Sequence, residues 1–314
     1  MRFGMGHGAI ALACAAMLAA CSGAAGDSDV TADLTPGDPD PVLGMATTIT
    51  DAMTARAAGL VTQGKVYALG VVTGPESVPY PGRSFGIETF SGGEAQGANR
   101  ITAHDDRLVT HVGIGSQIDG LGHIGRDGVH YGGAKAEDFF TPNGLTKFGT
   151  DQIPPIATRG VLLDMAKHFG TDRLEPMASF GADDIRVAAE AQGVTIGAGD
   201  VVLLHSGWLS MAEEDPETYI AQQPGINTEG AEYLASLGVV AVGADSAALE
   251  TMAFEDGNVF PVHAALLVDH GIYILETMNT GPLAQDQTYE FFFVLGQPRF
   301  AGSVQAVINP LAIR

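Results

Sequence analysis

The chain has 314 residues, 46% of them hydrophobic, and carries 15 basic against 37 acidic side chains for a formal charge of −22. That length leaves room for one large domain or two smaller ones with an ample core, and this hydrophobic content excludes a disordered chain. The acidity excludes a nucleic-acid binder, because neutralising phosphates needs a basic face; its simplest role is solubility.

The first residues, "MRFGMGHGAIALACAAMLAACSGAAG", place one positive charge at Arg2 before an apolar run from about Ala9 to Ala20. This is the layout of a secretory signal and is too short for a spanning helix. It ends in Leu18-Ala19-Ala20-Cys21, which resembles the lipobox of bacterial lipoproteins. The resemblance implies removal of residues 1–20, lipidation of Cys21 and export to the periplasmic face of a membrane, with Ser22 favouring the outer membrane of a Gram-negative cell. An ordinary signal peptide cut near Ala24 or Ala25 is the competing reading. The other cysteine, Cys14, leaves with the signal, so the mature domain has neither a disulfide nor a thiol nucleophile. Residues 21–41, small, acidic and proline-rich, read as a flexible tether, and 42–314 as one domain.

Along that domain the pattern predicts mixed elements. "ITDAMTARAAGLVTQG" reads as a helix capped by Thr50 or Asp51, and "KVYALGVV" as a strand. Residues 72–100 show no clear period. "LVTHVGIG" reads as a short strand, "RGVLLDMAKHFG" as a buried strand entering a short helix, and "GADDIRVAAEAQG" as a helix stopped by Gly193. "GDVVLLHSGW", "VVAVGAD" and "GIYILETMN" read as strands, with "NTEGAEYLASLG" a helix among them. "TYEFFFVLG" and "SVQAVINPL" look like a closing hairpin or meander. Continuous aliphatic strands alternating with helices argue for an α/β fold with a mixed β-sheet flanked by helices.

Polar residues collect at the ends of those strands, where open α/β sheets bind ligands. His205 ends one strand, Asp245 follows another, and Glu276 ends a third, while His263 precedes an aliphatic run. "GIGSQIDGLGHIG" (113–125) sets Gln117, Asp119 and His123 among glycines. In an extended segment Gln117 and Asp119 share a face. A carboxylate and an imidazole so placed suit a divalent cation and a proton carrier; a polar turn with a satisfied histidine would also account for them. No nucleotide-phosphate motif is present. Ser206 and Ser210 lie outside any G-x-S-x-G context, which leaves a serine esterase weakly supported.

The 113–125 segment resembles the signature of the cyclase family, the group that includes bacterial kynurenine formamidase and isatin hydrolase. Its motif is H-x-G-T-H-x-D-x-P-x-H. Aligned on Asp119, the motif's Gly, Asp and last His match Gly115, Asp119 and His123; Ser116 stands for Thr and Leu121 for Pro, whereas Gly113 and Gln117 stand where two His ligands would be. A longer branch of the family, reading T-Q-W-D-x-L-x-H, is closer to "SQIDGLGH". Further segments from about 80 to 310 keep the family's order, among them "AEAQGVTIGAGDVVLLHSGW" and "FPVHAALLVDHGIYILETMN".

The resemblance implies a swivelling β/β/α-like fold, Asp119, His263 and Glu276 as metal ligands, and His123 as general acid/base. Gln117 would offer a carbonyl oxygen to the metal or hold substrate. His111, two residues before the vacant position, stands on the same face of a strand and is a candidate substitute; His205, together with Asp245 and Glu250 as acids after a strand end, supplies candidate substrate contacts. An oxygen-rich set leans toward a single Mn²⁺ or a weakly held Zn²⁺. The reaction implied is hydrolysis of an amide, cyclic amide or lactone in a small-molecule substrate by a metal-activated water. A binding lipoprotein that kept the fold and lost catalysis is the alternative. The shorter relatives are dimers or larger, which allows a homo-oligomer here. The lipobox carries its own test: Cys21→Ala is expected to move the expressed chain from the membrane fraction to the soluble fraction, and an unchanged distribution would remove the lipid anchor.

Overall fold

A computed structural model describes residues 34–254 and 257–314; the signal segment and Cys21 lie outside the described residues. Nine strands form one mixed sheet. In chain order they are β1 (Val66–Ala68), β2 (Gln117–Asp119), β3 (Ile156–Asp164), β4 (Val201–His205), β5 (Ala241–Ala244), β6 (Tyr273–Glu276), β7 (Glu290–Leu295), β8 (Gln305–Val307) and β9 (Leu311–Ile313). Their spatial order is β1-β9-β7-β3-β4-β5-β6-β2-β8. The centre, β3 to β6, is parallel. The flanking strands pair antiparallel.

The aliphatic runs explain the parallel centre. Val161, Leu162, Leu163, Val201, Val202, Leu203, Ile274 and Leu275 are all wholly buried, as strands covered on both faces require. Helices α1 (Asp51–Ala58), α2 (Ala182–Gln192) and α3 (Thr228–Ser236) flank the domain. Thr50 caps α1 by accepting from the Met53 amide, Gly193 ends α2 in a left-handed conformation, and Asn227 caps α3. Among the described residues no helix is long and apolar enough to cross a membrane.

Two expectations are corrected. The region 72–100, left without a period, supplies strand Phe85–Ser91, which pairs with His104–Thr110 in a two-stranded hairpin. Most of both strands is exposed, so no burial pattern marks them. The closing strands do not form a hairpin with each other either. β7 pairs with β9, whereas β8 pairs with β2 at the far end of the sheet. Only residues 308–310 join β8 to β9, and so short a link spans at most about 14 Å from Val307 to Leu311. Opposite ends of the sheet must therefore approach each other: the sheet is curled. A bridge between Gly70, just after β1, and Met278, just after β6, shows the same closure.

Of the segment read as a tether, residues 34–41 contact the domain. The Gly37 amide donates to the Thr48 carbonyl (2.9 Å), and the Asp40 carboxylate accepts from the Val42 and Leu43 amides.

Gly160 in β3 leaves no room for a side chain: an added Cβ would sit 2.1 Å from the Phe291 ring of β7. Gly160→Ala should therefore destabilise the fold by about 1–3 kcal/mol in urea unfolding through overpacking. An unchanged midpoint would show that the ring yields freely.

Candidate metal centre

Sheet register builds the site. On β2, Ile118 faces the core while Gln117 and Asp119 point to the other face. Glu276 of β6 lies directly across from Gln117, and Gln305 of β8 directly across from Asp119, so four polar side chains share one face of three neighbouring strands. His263 arrives from a short helical turn, Pro261–His263, and completes the group. One ligand atom each from Asp119, His263 and Glu276 lie within 4.8 Å of one another.

The arrangement is polarised. Asp119 is fully buried; its Oδ1 accepts from the Gln305 amide at 2.6 Å, but its Oδ2 has no hydrogen-bond partner. A buried carboxylate oxygen left bare is costly unless something positive meets it. His263 Nε2 stands 3.6 Å from that oxygen and 3.1 Å from Glu276 Oε1, while Nδ1 is 2.6 Å from Glu250 Oε1. Glu250 also accepts from the Val262 and His263 amides, which fixes the turn and the ring together. A carboxylate behind an imidazole whose other nitrogen faces two acids is a metal-ligand geometry. The bare oxygen, the oriented imidazole and the second carboxylate fit a divalent cation.

Protonation follows the same logic. Burial alone would discharge His263, but hydrogen bonds with Asp119, Glu250 and Glu276 outweigh it and hold the ring well above its ordinary value. Burial would raise Asp119, yet the neighbouring imidazoles and the Gln305 amide hold it well down. Glu276 is pushed up to about 7 by burial and by the charge of Asp119. His123, on the loop after β2, retains 22% side-chain exposure, and its Nε2 lies 3.9 Å from Asp119 Oδ2. Burial, with the charges of His263 and Arg83, lowers its pKa against the pull of Asp119. It is thus neutral at neutral pH and able to accept a proton.

The remaining candidates fall elsewhere. Gln117 is buried, but its amide nitrogen donates to Glu276 and Asp119, and its carbonyl oxygen faces Arg83 at 3.5 Å. It therefore crosslinks the two carboxylates instead of presenting an oxygen to an ion. His111 is not a substitute ligand: it is exposed at the root of the hairpin, where its Nδ1 accepts from the Ser84 amide. His205 and Asp245 pair with each other at 3.3 Å, with His205 lining a separate cleft beside Lys167 and Asp172. Ser206 donates its hydroxyl to Asp245, not to His205, and Ser210 is tied to the Gly207 carbonyl, so neither serine has the imidazole partner of a serine-hydrolase nucleophile. Cys21 lies outside the described residues.

Three contributors escaped the sequence reading as parts of this centre. Gln305 left a faint signal, a lone amide inside the aliphatic strand "SVQAVINPL". Glu250 was legible only as an acid after a strand end, and Arg83 left no periodic signal at all.

Metal binding requires His263 without its proton and Glu276 ionised, so each bound ion displaces protons. Mn²⁺ affinity is expected to rise from about pH 6 to 8, with proton uptake by the buffer visible in calorimetry; a flat profile would contradict this centre. Glu250→Gln should weaken Mn²⁺ binding by about 10- to 100-fold in the same measurement, because the imidazole loses its orienting carboxylate.

Comparison with known proteins agrees with this fold. A search of curated proteins gave no match. Among solved structures, a novel cyclase superposes with a TM-score of 0.78 and 25% identity, covering 88% of this chain and 97% of its own. Isatin hydrolase A from Ralstonia solanacearum gives 0.62 and 18%, over 85% and 99% of the two chains. A potential metal-dependent hydrolase with cyclase activity gives 0.52 and 18%, over 79% and 98%. The two at 18% establish the shared fold. The Cyclase family profile matches residues 44–251, a span that includes Asp119, His123 and Glu250 and stops before His263 and Glu276, which the structure itself brings in. With more than half of its length matched, this chain belongs to the Cyclase family.

Proposed function

We propose that the chain is a metal-dependent hydrolase of an amide, cyclic amide or lactone. The observation that carries this reading is the bare Asp119 Oδ2, buried beside His263 and Glu276 and within reach of a neutral, partly exposed His123. Asp119, His263 and Glu276 would hold one divalent ion, and two carboxylates with one imidazole lean toward Mn²⁺ over Zn²⁺. When bound, such an ion lowers the pKa of a coordinated water and polarises a carbonyl.

The residues of this chain do the rest. His123 takes a proton from the attacking water and returns it to the leaving nitrogen or oxygen, a role its lowered pKa suits. Asp119, held ionised, faces the His123 ring from 3.9 Å and favours its protonated form once it has taken the proton. Glu250 fixes His263, while Gln117 and Gln305 hold the carboxylates in place through their amides. Burial of Asp119, Glu276 and His263 keeps bulk water from screening these interactions. The apolar run ending at Cys21 supports placing this activity on a lipid-tethered exported domain.

A panel of formamides, cyclic amides and lactones assayed with Mn²⁺ and with Zn²⁺ tests the reading. Activity is expected with at least one class, lost on chelation and restored by metal. His123→Ala should lower kcat by about 10²-fold or more while metal content stays near one equivalent. A fully folded chain that binds no metal would instead support a binding protein on the same fold.

A further inference from the structure

Arg83 stands where the loop 72–84 enters the hairpin strand Phe85–Ser91, and its half-buried guanidinium reaches the metal centre. Nη1 donates to the Gly113 carbonyl and to Gln117 Oε1. The Tyr80 ring lies 5.7 Å from its Cζ. Among the described residues it forms no ion pair. Nε and Nη2 are left with no hydrogen-bond acceptor among those residues. The charge is nonetheless felt across the site, since it pulls Glu276, Tyr80 and His123 toward lower pKa.

Gly113 is what admits this cation. A Cβ at position 113 would sit 2.6 Å from Arg83 Nη1 and 2.3 Å from Gln305 Oε1, so any other residue there would displace one or both. Drawing a guanidinium partly out of water without a carboxylate partner is unfavourable, and such donors suit a bidentate anion. An apolar wall runs from the guanidinium to the imidazole: Tyr80 to Phe260 at 6.3 Å between centroids, and Phe260 to His263 at 5.2 Å. Phe254 packs edge-on against Phe260 at 5.3 Å.

The geometry points to Arg83 as the carboxylate-binding residue of the site, holding a substrate or product carboxylate whose flat apolar body lies along Tyr80 and Phe260. This assignment rests on the hydrolase reading of the same centre. The carboxylate is either one the substrate already carries or the one that hydrolysis releases; both present the same two oxygens to the guanidinium.

The test is calorimetric titration of the Mn²⁺-loaded full chain with benzoate and with its neutral analogue benzamide. The native chain should prefer benzoate. Arg83→Gln keeps a donor for the Gly113 carbonyl but removes the charge, and should cut the benzoate-over-benzamide preference by about tenfold or more; Arg83→Lys should recover part of it. Mn²⁺ content and thermal midpoint, measured alongside, confirm that each variant is folded and loaded. A native chain without that preference, or an Arg83→Gln variant that keeps it, overturns the assignment. Loss of metal binding in the native chain strikes the hydrolase reading, whereas a loaded chain indifferent to benzoate strikes Arg83 alone. Kinetics with N-formylanthranilate and formanilide then separate the two sources. A raised KM ratio of the first to the second in Arg83→Gln identifies the substrate's own carboxylate; an unchanged ratio with weakened benzoate inhibition identifies the released one.

Discussion

The site depends on one buried carboxylate that the fold satisfies only halfway. Asp119 lies on a strand of only three residues, wholly enclosed between β6 and β8. One of its oxygens is paired and the other is held bare against an imidazole. Hydrophobic packing of Ile118 and Ala306 on the opposite face holds the strand in register, and a slip of one residue would send Asp119 into the core. Core packing and site chemistry are therefore two faces of the same three residues.

That coupling explains what the sequence made legible. Strands β3 to β6 could be read because continuous aliphatic runs are the signature of burial on both faces, and the polar residues at their ends marked an edge. Asp119, His123, His263 and Glu276 stood out through family resemblance, and their spacing along the chain does not reveal that Glu276 and Asp119 lie on neighbouring strands. Only the pairing order does that, and pairing is not a local property. Gln305 illustrates the point: its partner lies 186 positions away, joined through a strand whose neighbours in sequence pair at the other end of the sheet.

The readings that the structure redirected share a cause. The closing segments looked like a hairpin because adjacent strands usually pair, a tendency that a curled sheet overrides. The hairpin at 85–110 was invisible because two exposed faces leave no alternation to detect. His111 was given a face by assuming an unbroken strand to Gly113, but the strand ends at Thr110 and the bends that follow carry the ring away. Replacement of imidazole ligands by Gly113 and Gln117 looked like loss when read alone. In three dimensions the space beside Gly113 is filled by Gln305 and Arg83, which puts a cation next to the carboxylates.

The link formed by residues 308–310 has a bearing on how the molecule is completed. The segment after Gly296 supplies strands at both ends of the sheet, so removing residues 303–314 would take the Gln305 amide from Asp119 and β9 from between β1 and β7 together. A folding chain meets the same condition: the candidate metal centre and the closure of the sheet are completed by one and the same segment.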